Sequence, residues 1–350
     1  MTLFFLKIKN IKVKKCIEDK IRGFVNYTLQ THGNGIESII LFGSIARNEI
    51  SYKNDKLLSD FDFLIITKHP TFLMKKDNKK YDNIDYELCY KSDLKRVPKN
   101  TYWFDIKNTG KTVYGKEMIH EIRNFNREEI PKNGSMSIIF NRMSHLISVF
   151  NLKHFKSISS EDCQKIVRES SKALFCSSDV SSICSEKYSP YLDKRIKMIK
   201  NNIFFKKQHK NIINDINASL SYLKRNKNDN CLKLWFRAKE NLLFLVDFCI
   251  KRNIRENNWA PYNYIRFYYN MFKAGIIPKV SVNPHLIWRV ALTHFLKSVE
   301  DKKINEAELE KSLNSLNKIC FCKIPYKNLN ARWVEIKKSL VNILTALPDF

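Results

Sequence analysis

The sequence predicts an α+β fold, with a sheet-containing domain in the first third of the chain and an all-α helical domain after it. Two observations lead to this prediction. Three short segments before residue 91 have the apolar character or the alternation of strands, whereas the long segments beyond residue 135 repeat their apolar side chains at helical spacing. Because the pattern changes between residues 125 and 135, we expect two domains, 1–125 and 135–350.

The composition is typical of a folded intracellular protein. A chain of 350 residues with 44% hydrophobic residues is long enough to build two cores. Its nine cysteines are an odd set without a Cys-x-x-Cys pair, which favours reduced thiols and a cytoplasmic location. No uncharged apolar run is long enough for a membrane span. The formal charge of +27 indicates an anionic partner, which includes nucleotides, phosphorylated metabolites, RNA and membrane surfaces.

The first domain is predicted to begin with a helix and to contain three strands. Residues 14–30 place apolar side chains on one helical face, and the His-Gly-Asn-Gly cluster at 32–35 ends that helix. The Ile-rich run Ile36–Phe42 is typical of a buried strand. Residues 60–67 and Ile84–Tyr90 follow as the second and third strands.

The second domain is predicted to consist of helices separated by short polar or proline-containing breaks. Its proline-free segments of helical period are 138–150, 163–175, 212–223, 232–250, 286–299 and 333–344. The aromatic run 259–269 also has helical spacing. Core packing is the favoured interpretation of that run, and the lining of an acceptor pocket is the alternative.

The residues that suggest chemistry follow the first predicted strand. Gly43 lies where the chain must turn, and its missing side chain lets the backbone approach a phosphate closely. Ser44 adds a hydroxyl and an amide near the start of a predicted helix, whose dipole favours anions. Arg47 lies within the next turn, where contact with the same phosphate group is the favoured role and a solvated helix position is the alternative.

Carboxylates at the second and third strands form the other half of this pattern. Asp60 and Asp62 are two residues apart, so they project to one side of a strand while Phe61 points into the core. Asp85 and Glu87 share this facing on the third strand, and either can supply a third carboxylate. Such oxygen ligands suit Mg²⁺ or Mn²⁺, which also bind substrate phosphates.

In order and type, Gly43-Ser44, Asp60-Phe61-Asp62 and Asp85 resemble the nucleotidyltransferase superfamily. That superfamily includes DNA polymerase beta and the antibiotic-modifying, sugar and tRNA nucleotidyltransferases. The resemblance covers about residues 36–118, including the glycine-bounded segment 109–115 that is similar to the end of minimal domains of this kind. It implies a small mixed sheet.

The resemblance also implies a role for each matching residue. Ser44 and Arg47 would contact the β and γ phosphates of a bound nucleotide. Asp60 and Asp62 would hold both divalent metals, and Asp85 would complete the site and activate the acceptor hydroxyl.

The chain departs from the family pattern at two points. Asn48 stands where the family has a glycine, and asparagine accepts left-handed backbone angles better than most residues. Fifteen residues separate Ser44 from Asp60, which makes this loop long for the family.

The function implied is that of an enzyme that transfers the NMP of an NTP to an acceptor hydroxyl. A small hydroxylated acceptor, such as a sugar or an aminoglycoside-like compound, is favoured because a minimal catalytic domain precedes a helical bundle, as in the antibiotic-modifying members. The charge of +27 keeps a tRNA or protein acceptor open. A non-catalytic nucleotide-binding or partner-binding module, in a toxin-antitoxin or defence system, is the third alternative. The long loop and Asn48 favour it, whereas the intact set of three carboxylates argues against it.

Overall fold

The computed structural model divides into two compact units. It describes residues 8, 10–50, 52–53, 56–57, 59–71, 83–201, 212–225, 231–254, 279, 284–301, 303–320 and 328–346. The first unit takes Met1–Pro131, Ser182–Met198 and Leu223–Asn226, and the second takes Lys132–Ser181, Ile199–Tyr222 and Lys227–Phe350. The domain limits 1–125 and 135–350 stay predictions. The predicted domain boundary lies near residue 131, where the first unit gives way to the second. The prediction did not include the return of residues 182–198 to the first unit.

The first unit is built on a four-stranded mixed sheet. The strands before residue 131 are β1 (Ile36–Phe42), β2 (Tyr52–Lys53), β3 (Lys56–Leu57), β4 (Phe61–Thr67), β5 (Ile84–Tyr90) and β6 (Lys111–Gly115). The order in the sheet is β5-β4-β1-β6, with β4 parallel to β5 and β1 antiparallel to both of its neighbours. The mixed sheet is therefore confirmed. Strands β2 and β3 pair as a short hairpin between β1 and β4 that was not predicted.

Among the described residues, one helix packs on each face of this sheet. Helix α1 (Ile11–His32) begins at Asn10, whose Oδ1 accepts a hydrogen bond from the Val13 amide at 3.1 Å. It buries its apolar side against β1 and β4, and the Phe24 ring stacks on the Phe63 ring at 4.3 Å. The single turn Gly43–Ala46 is α2. The opposite face of the sheet is covered by α3 (Thr101–Thr109), a helix that was not predicted.

The remaining part of the chain is mostly helical. Its helices are α4 (Gly134–Ser148), α5 (Ser160–Cys184), α6 (Leu192–Asn201), α7 (Ile212–Arg225), α8 (Cys231–Lys251), α9 (Pro284–Ser298), α10 (Glu306–Leu316) and α11 (Leu329–Ala346). Each of the six helical segments of the prediction corresponds to one of these, and α6 and α10 were not predicted. The aromatic run 259–269 lies outside the described residues. Within the described ranges, no helix is both long and apolar enough to cross a membrane.

The prediction of an all-α second domain needs one correction. Val299–Glu300 and Lys303–Ile304 pair as a two-stranded hairpin, β7 and β8. The helix predicted to include Val299 ends one residue earlier, at Ser298. The physical reason is that the Asn305 amide donates to the Ser298 carbonyl at 2.7 Å, which ties the chain into a tight reversal.

A cluster of aromatic side chains lies in the core of the second unit. The Phe150 ring stacks on the Trp235 ring at 4.4 Å, and the Phe295 and Trp333 rings lie 5.1 Å apart. All four side chains are almost completely buried. Because large aromatic groups remove much apolar area from water, this cluster is a main source of stability in the unit.

Candidate active site

The candidate site lies where β1 ends and where β4 and β5 begin. Phe42, the last residue of β1, is paired with Asp62 of β4, and Asp62 is paired with Asp85 of β5. Residues paired across neighbouring strands project from the same face of a sheet. Phe61 and Phe63 alternate with Asp62 and are fully buried on the α1 side. The structure therefore places Asp62 and Asp85 side by side on the other face.

Gly43 passes directly over the carboxylate of Asp62. Its φ angle is +73°, in the region that favours glycine. A Cβ atom at this position would lie 2.0 Å from Asp62 Oδ2 and 3.0 Å from its Cγ. Any side chain here would displace the Asp62 carboxylate, so the turn predicted to approach a phosphate is in contact with one of the predicted metal ligands.

The turn after Gly43 is tighter than the sequence suggested. The predicted helix is a single turn, α2, which is followed by Asn48 with a φ of 59°. The Glu49 amide donates to the Ser44 carbonyl at 2.9 Å and so closes the loop. The expectation of a helix dipole at Ser44 is therefore corrected, because one turn of helix has only a small macrodipole. The left-handed angle expected of Asn48 is confirmed.

Arg47 is held by two carboxylates of the same unit. Its Nε lies 2.8 Å from Glu49 Oε2, and its Nη1 lies 3.5 Å from Asp105 Oδ2. The side chain is only 12% exposed. Within the described part of the chain, Nη2 has no hydrogen-bond partner. Because two of its nitrogens are fixed, the guanidinium has a defined orientation.

Tyr102 on α3 is a candidate site residue that the sequence analysis missed. Its hydroxyl donates to Glu87 Oε2 at 2.7 Å, and its ring meets the Phe42 ring edge-on at 5.2 Å. Burial raises the pKa of Tyr102 well above its ordinary value, and the Glu87 and Asp62 carboxylates raise it further. The phenol is thus a neutral hydrogen-bond donor beside both acids. Asn100, whose side chain accepts from the Trp103 amide at 3.0 Å, is an N-cap signal that would have predicted this helix.

The remaining predicted ligands are less enclosed. Asp60 directly precedes β4 and is partly exposed, whereas Asp85 and Glu87 are exposed on β5. Among the residues that the structure describes, no three side chains of His, Cys, Asp or Glu are grouped closely enough to hold a metal ion. The structure brings Asp62 and Asp85 together as a pair in register, and Asp60 lies two residues before Asp62 in the chain.

No protein-family model matches the sequence, and no curated protein matches it either. The chain is similar to a solved structure, the crystal structure of spectinomycin adenyltransferase AAD(9) from Enterococcus faecialis with ATP and spectinomycin, at 14% sequence identity. The alignment covers 59% of this chain and 98% of that chain, with a TM-score of 0.26. At this TM-score the likeness does not establish a shared fold.

Proposed function

We propose that this protein is a nucleotidyltransferase that transfers the NMP of an NTP to a hydroxyl of a small acceptor. The observation that carries the proposal is the contact between the Gly43 turn and the Asp62 carboxylate. A phosphate bound by the turn would lie next to a negative charge, and two anions at such a distance repel each other strongly unless a cation lies between them. A phosphate-binding turn that contacts a carboxylate is therefore the arrangement expected for binding a metal-nucleotide complex.

The carboxylates present fit a divalent cation that is shared with its substrate. Asp60 and Asp62 would hold Mg²⁺ or Mn²⁺, and Asp85 lies in register beside Asp62. Magnesium commonly uses one or two protein carboxylates and takes its other ligands from water and substrate phosphates. When bound, the ion would neutralise charge on the phosphates as the leaving group departs.

The turn and Arg47 would bind the β and γ phosphates. Ser44 offers an amide and a hydroxyl beside Gly43. Glu49 and Asp105 orient the guanidinium of Arg47 without occupying Nη2, so Nη2 is available for a phosphate oxygen.

The reaction is an in-line displacement at the α-phosphorus. The acceptor oxygen forms a new P–O bond, the bond from the α-phosphorus to the α–β bridging oxygen breaks, and pyrophosphate leaves with that oxygen. The hydroxyl proton passes to a carboxylate. The resemblance assigns this role to Asp85, whereas the hydrogen bond from Tyr102 supports Glu87, because it fixes the orientation of that side chain. Asp85→Asn and Glu87→Gln, compared for kcat, decide between the two.

A macromolecular acceptor is the second candidate, and the charge distribution favours it. The second unit contains 32 Lys and Arg against 16 Asp and Glu, so more than half of the net charge of +27 lies outside the first unit. For an RNA acceptor, log KM should change linearly and steeply with log salt. For an uncharged sugar-like acceptor, KM should be almost independent of salt.

The test is pyrophosphate release from each of the four ribonucleoside triphosphates with Mg²⁺ or Mn²⁺. Pooled aminoglycosides and sugars are supplied in one series, and total tRNA in the other. Asp62→Asn should lower release by at least about a hundredfold. Asp19→Asn, which changes an exposed acid on α1, is the matched control and should retain full activity.

Two other outcomes have defined meanings. Equal release by Asp62→Asn and the native protein would refute the proposed site. Metal-dependent nucleotide binding without release, with either acceptor pool, would instead support a non-catalytic nucleotide-binding module.

A further inference from the structure

A distant segment of the chain contacts the two carboxylates that hold Arg47. Residues 182–198 belong to the same compact unit as the Gly43 turn. The Leu192 amide donates to Glu49 Oε1 at 2.8 Å, although the two residues are 143 positions apart. The Tyr188 hydroxyl donates to Asp105 Oδ2 at 3.3 Å. Each carboxylate thus has one contact with Arg47 and another with residues 182–198, the return segment.

These contacts form a continuous and mostly buried network. The exposed fractions of the Arg47, Glu49 and Asp105 side chains are 12%, 25% and 19%. Charged hydrogen bonds that are shielded from water are stronger than exposed ones. The orientation of the guanidinium therefore depends on the position of both acids, and their position depends on Tyr188 and on the Leu192 amide.

Tyr188 is itself fixed in place. Its side chain is buried, the Phe104 ring packs on it edge-on at 6.0 Å, and the Arg195 guanidinium lies 5.5 Å from the ring centre. Arg195 Nη1 donates to the carbonyls of Ser189 and Pro190, at 2.6 Å each. The tyrosine hydroxyl has little freedom to move, so it acts as a rigid donor to Asp105.

We infer that Tyr188 and the Leu192 amide are positioning groups which, through Asp105 and Glu49, hold Arg47 in the orientation that binds the β and γ phosphates of the nucleotide. The inference rests on the proposed function for the identity of the ligand. Its physical reason is preorganisation: an arginine that is already oriented loses less side-chain freedom when it binds a phosphate.

The first test compares Tyr188→Phe with Tyr191→Phe in the full chain. Tyr188→Phe keeps the ring contacts and removes only the hydroxyl. Tyr191 is exposed and lies three residues further along the same segment, so it is a matched control. Tyr188→Phe should raise KM for NTP about three- to tenfold, with kcat within about twofold of the native value. It should weaken the binding of inorganic tripolyphosphate by the same factor, measured by calorimetry with Mg²⁺. Tyr191→Phe should change neither value.

A double-mutant cycle separates positioning from general destabilisation. If Tyr188 acts through Arg47, Tyr188→Phe should change tripolyphosphate binding by less than about twofold in an Arg47→Ala background. An undiminished effect in that background would overturn the inference. A fall in kcat with an unchanged KM in the Tyr188→Phe single variant would also overturn the inference.

A third measurement does not depend on nucleotide chemistry. In the unliganded protein, solvent exchange of the Arg47 Nη1 protons, which face Asp105, should be faster in Tyr188→Phe than in Tyr191→Phe when followed by NMR. If the native protein neither releases pyrophosphate nor binds tripolyphosphate, the proposed function fails, and this comparison still decides whether the return segment orients Arg47. Equal exchange in the two variants would refute the positioning role.

Discussion

Replacing Gly43 with alanine tests the contact on which the proposed site depends. The new methyl group would lie 2.0 Å from Asp62 Oδ2, and contacts of Cβ atoms shorter than 3.0 Å are essentially never seen. The carboxylate must therefore move by about 1 Å, and a misplacement of this size in a catalytic group costs about a hundredfold in rate. The left-handed angle adds about 1–2 kcal/mol of backbone strain. We expect Gly43→Ala to lose about a hundredfold in pyrophosphate release and only about 1–2 kcal/mol in the free energy of unfolding.

Two other glycines provide matched controls for the same substitution. Gly23, in α1, has no heavy atom within 4 Å of an added Cβ, so Gly23→Ala should raise the free energy of unfolding by about 0.5–1 kcal/mol at unchanged activity. Gly115 has a φ of +77° and would place its Cβ 2.1 Å from the Glu37 carbonyl. Gly115→Ala should therefore destabilise the fold, but activity per folded molecule should remain native because Gly115 is paired with Ser38, near the other end of β1.

The assay combines urea denaturation, followed by circular dichroism, with pyrophosphate release corrected for the folded fraction. Native activity in folded Gly43→Ala would refute the reasoning, because the Gly43 turn would then not lie beside the reacting groups. An equal loss of activity in Gly43→Ala and Gly115→Ala would show that the loss reflects folding and not the position of Asp62.

Three further predictions concern individual side chains. Tyr102→Phe should lower kcat about tenfold in the pyrophosphate assay, because it removes the phenol hydroxyl that orients Glu87. An unchanged kcat would show that this hydroxyl has no role in turnover. Burial lowers the pKa of His154 below its ordinary value of 6.5. Just below pH 6.5 the unfolded chain therefore binds more protons than the folded protein does. The free energy of unfolding should fall as the pH drops below 6.5. His154→Gln should flatten this dependence in urea titrations, and an unaltered slope would contradict the assignment. The Lys337 amine donates to the Ser148 and Phe150 carbonyls and to Asn151 Oδ1. Lys337→Met should therefore lower the free energy of unfolding by about 1.5–3 kcal/mol in the same urea titrations. A loss below about 0.5 kcal/mol would show that these hydrogen bonds contribute little to stability.

Elements with a strong local pattern were predicted closely. The bounds of Ile36–Phe42 and Ile84–Tyr90 agree with β1 and β5, because a run of β-branched residues or a strict alternation defines a strand without reference to the rest of the chain. Helix α6 was missed because its sequence, LDKRIKMIKN, is short and half of it is charged. The β2–β3 hairpin was missed because its strands have only two residues each.

The candidate site was predictable in part. Alternation along one strand indicates that Asp62 faces away from Phe61, and a glycine after a strand indicates a tight turn. The partners of these residues were not predictable in the same way. Tyr102 was overlooked together with its helix, and no spacing in the sequence relates Arg47 to Tyr188.

The amino-acid sequence alone indicated Gly43, Ser44 and the strand carboxylates as candidate site residues in their order along the chain, because turns and strand alternation depend on neighbouring residues, but it did not indicate Tyr102. Tertiary structure decided which of these groups meet. The Gly43 turn reaches Asp62 only because β1 pairs with β4, and Asp105 meets Tyr188 only because residues 182–198 return to the first unit. Such contacts depend on the packing of segments far apart in the chain, and that packing is determined by the whole core and not by any local pattern.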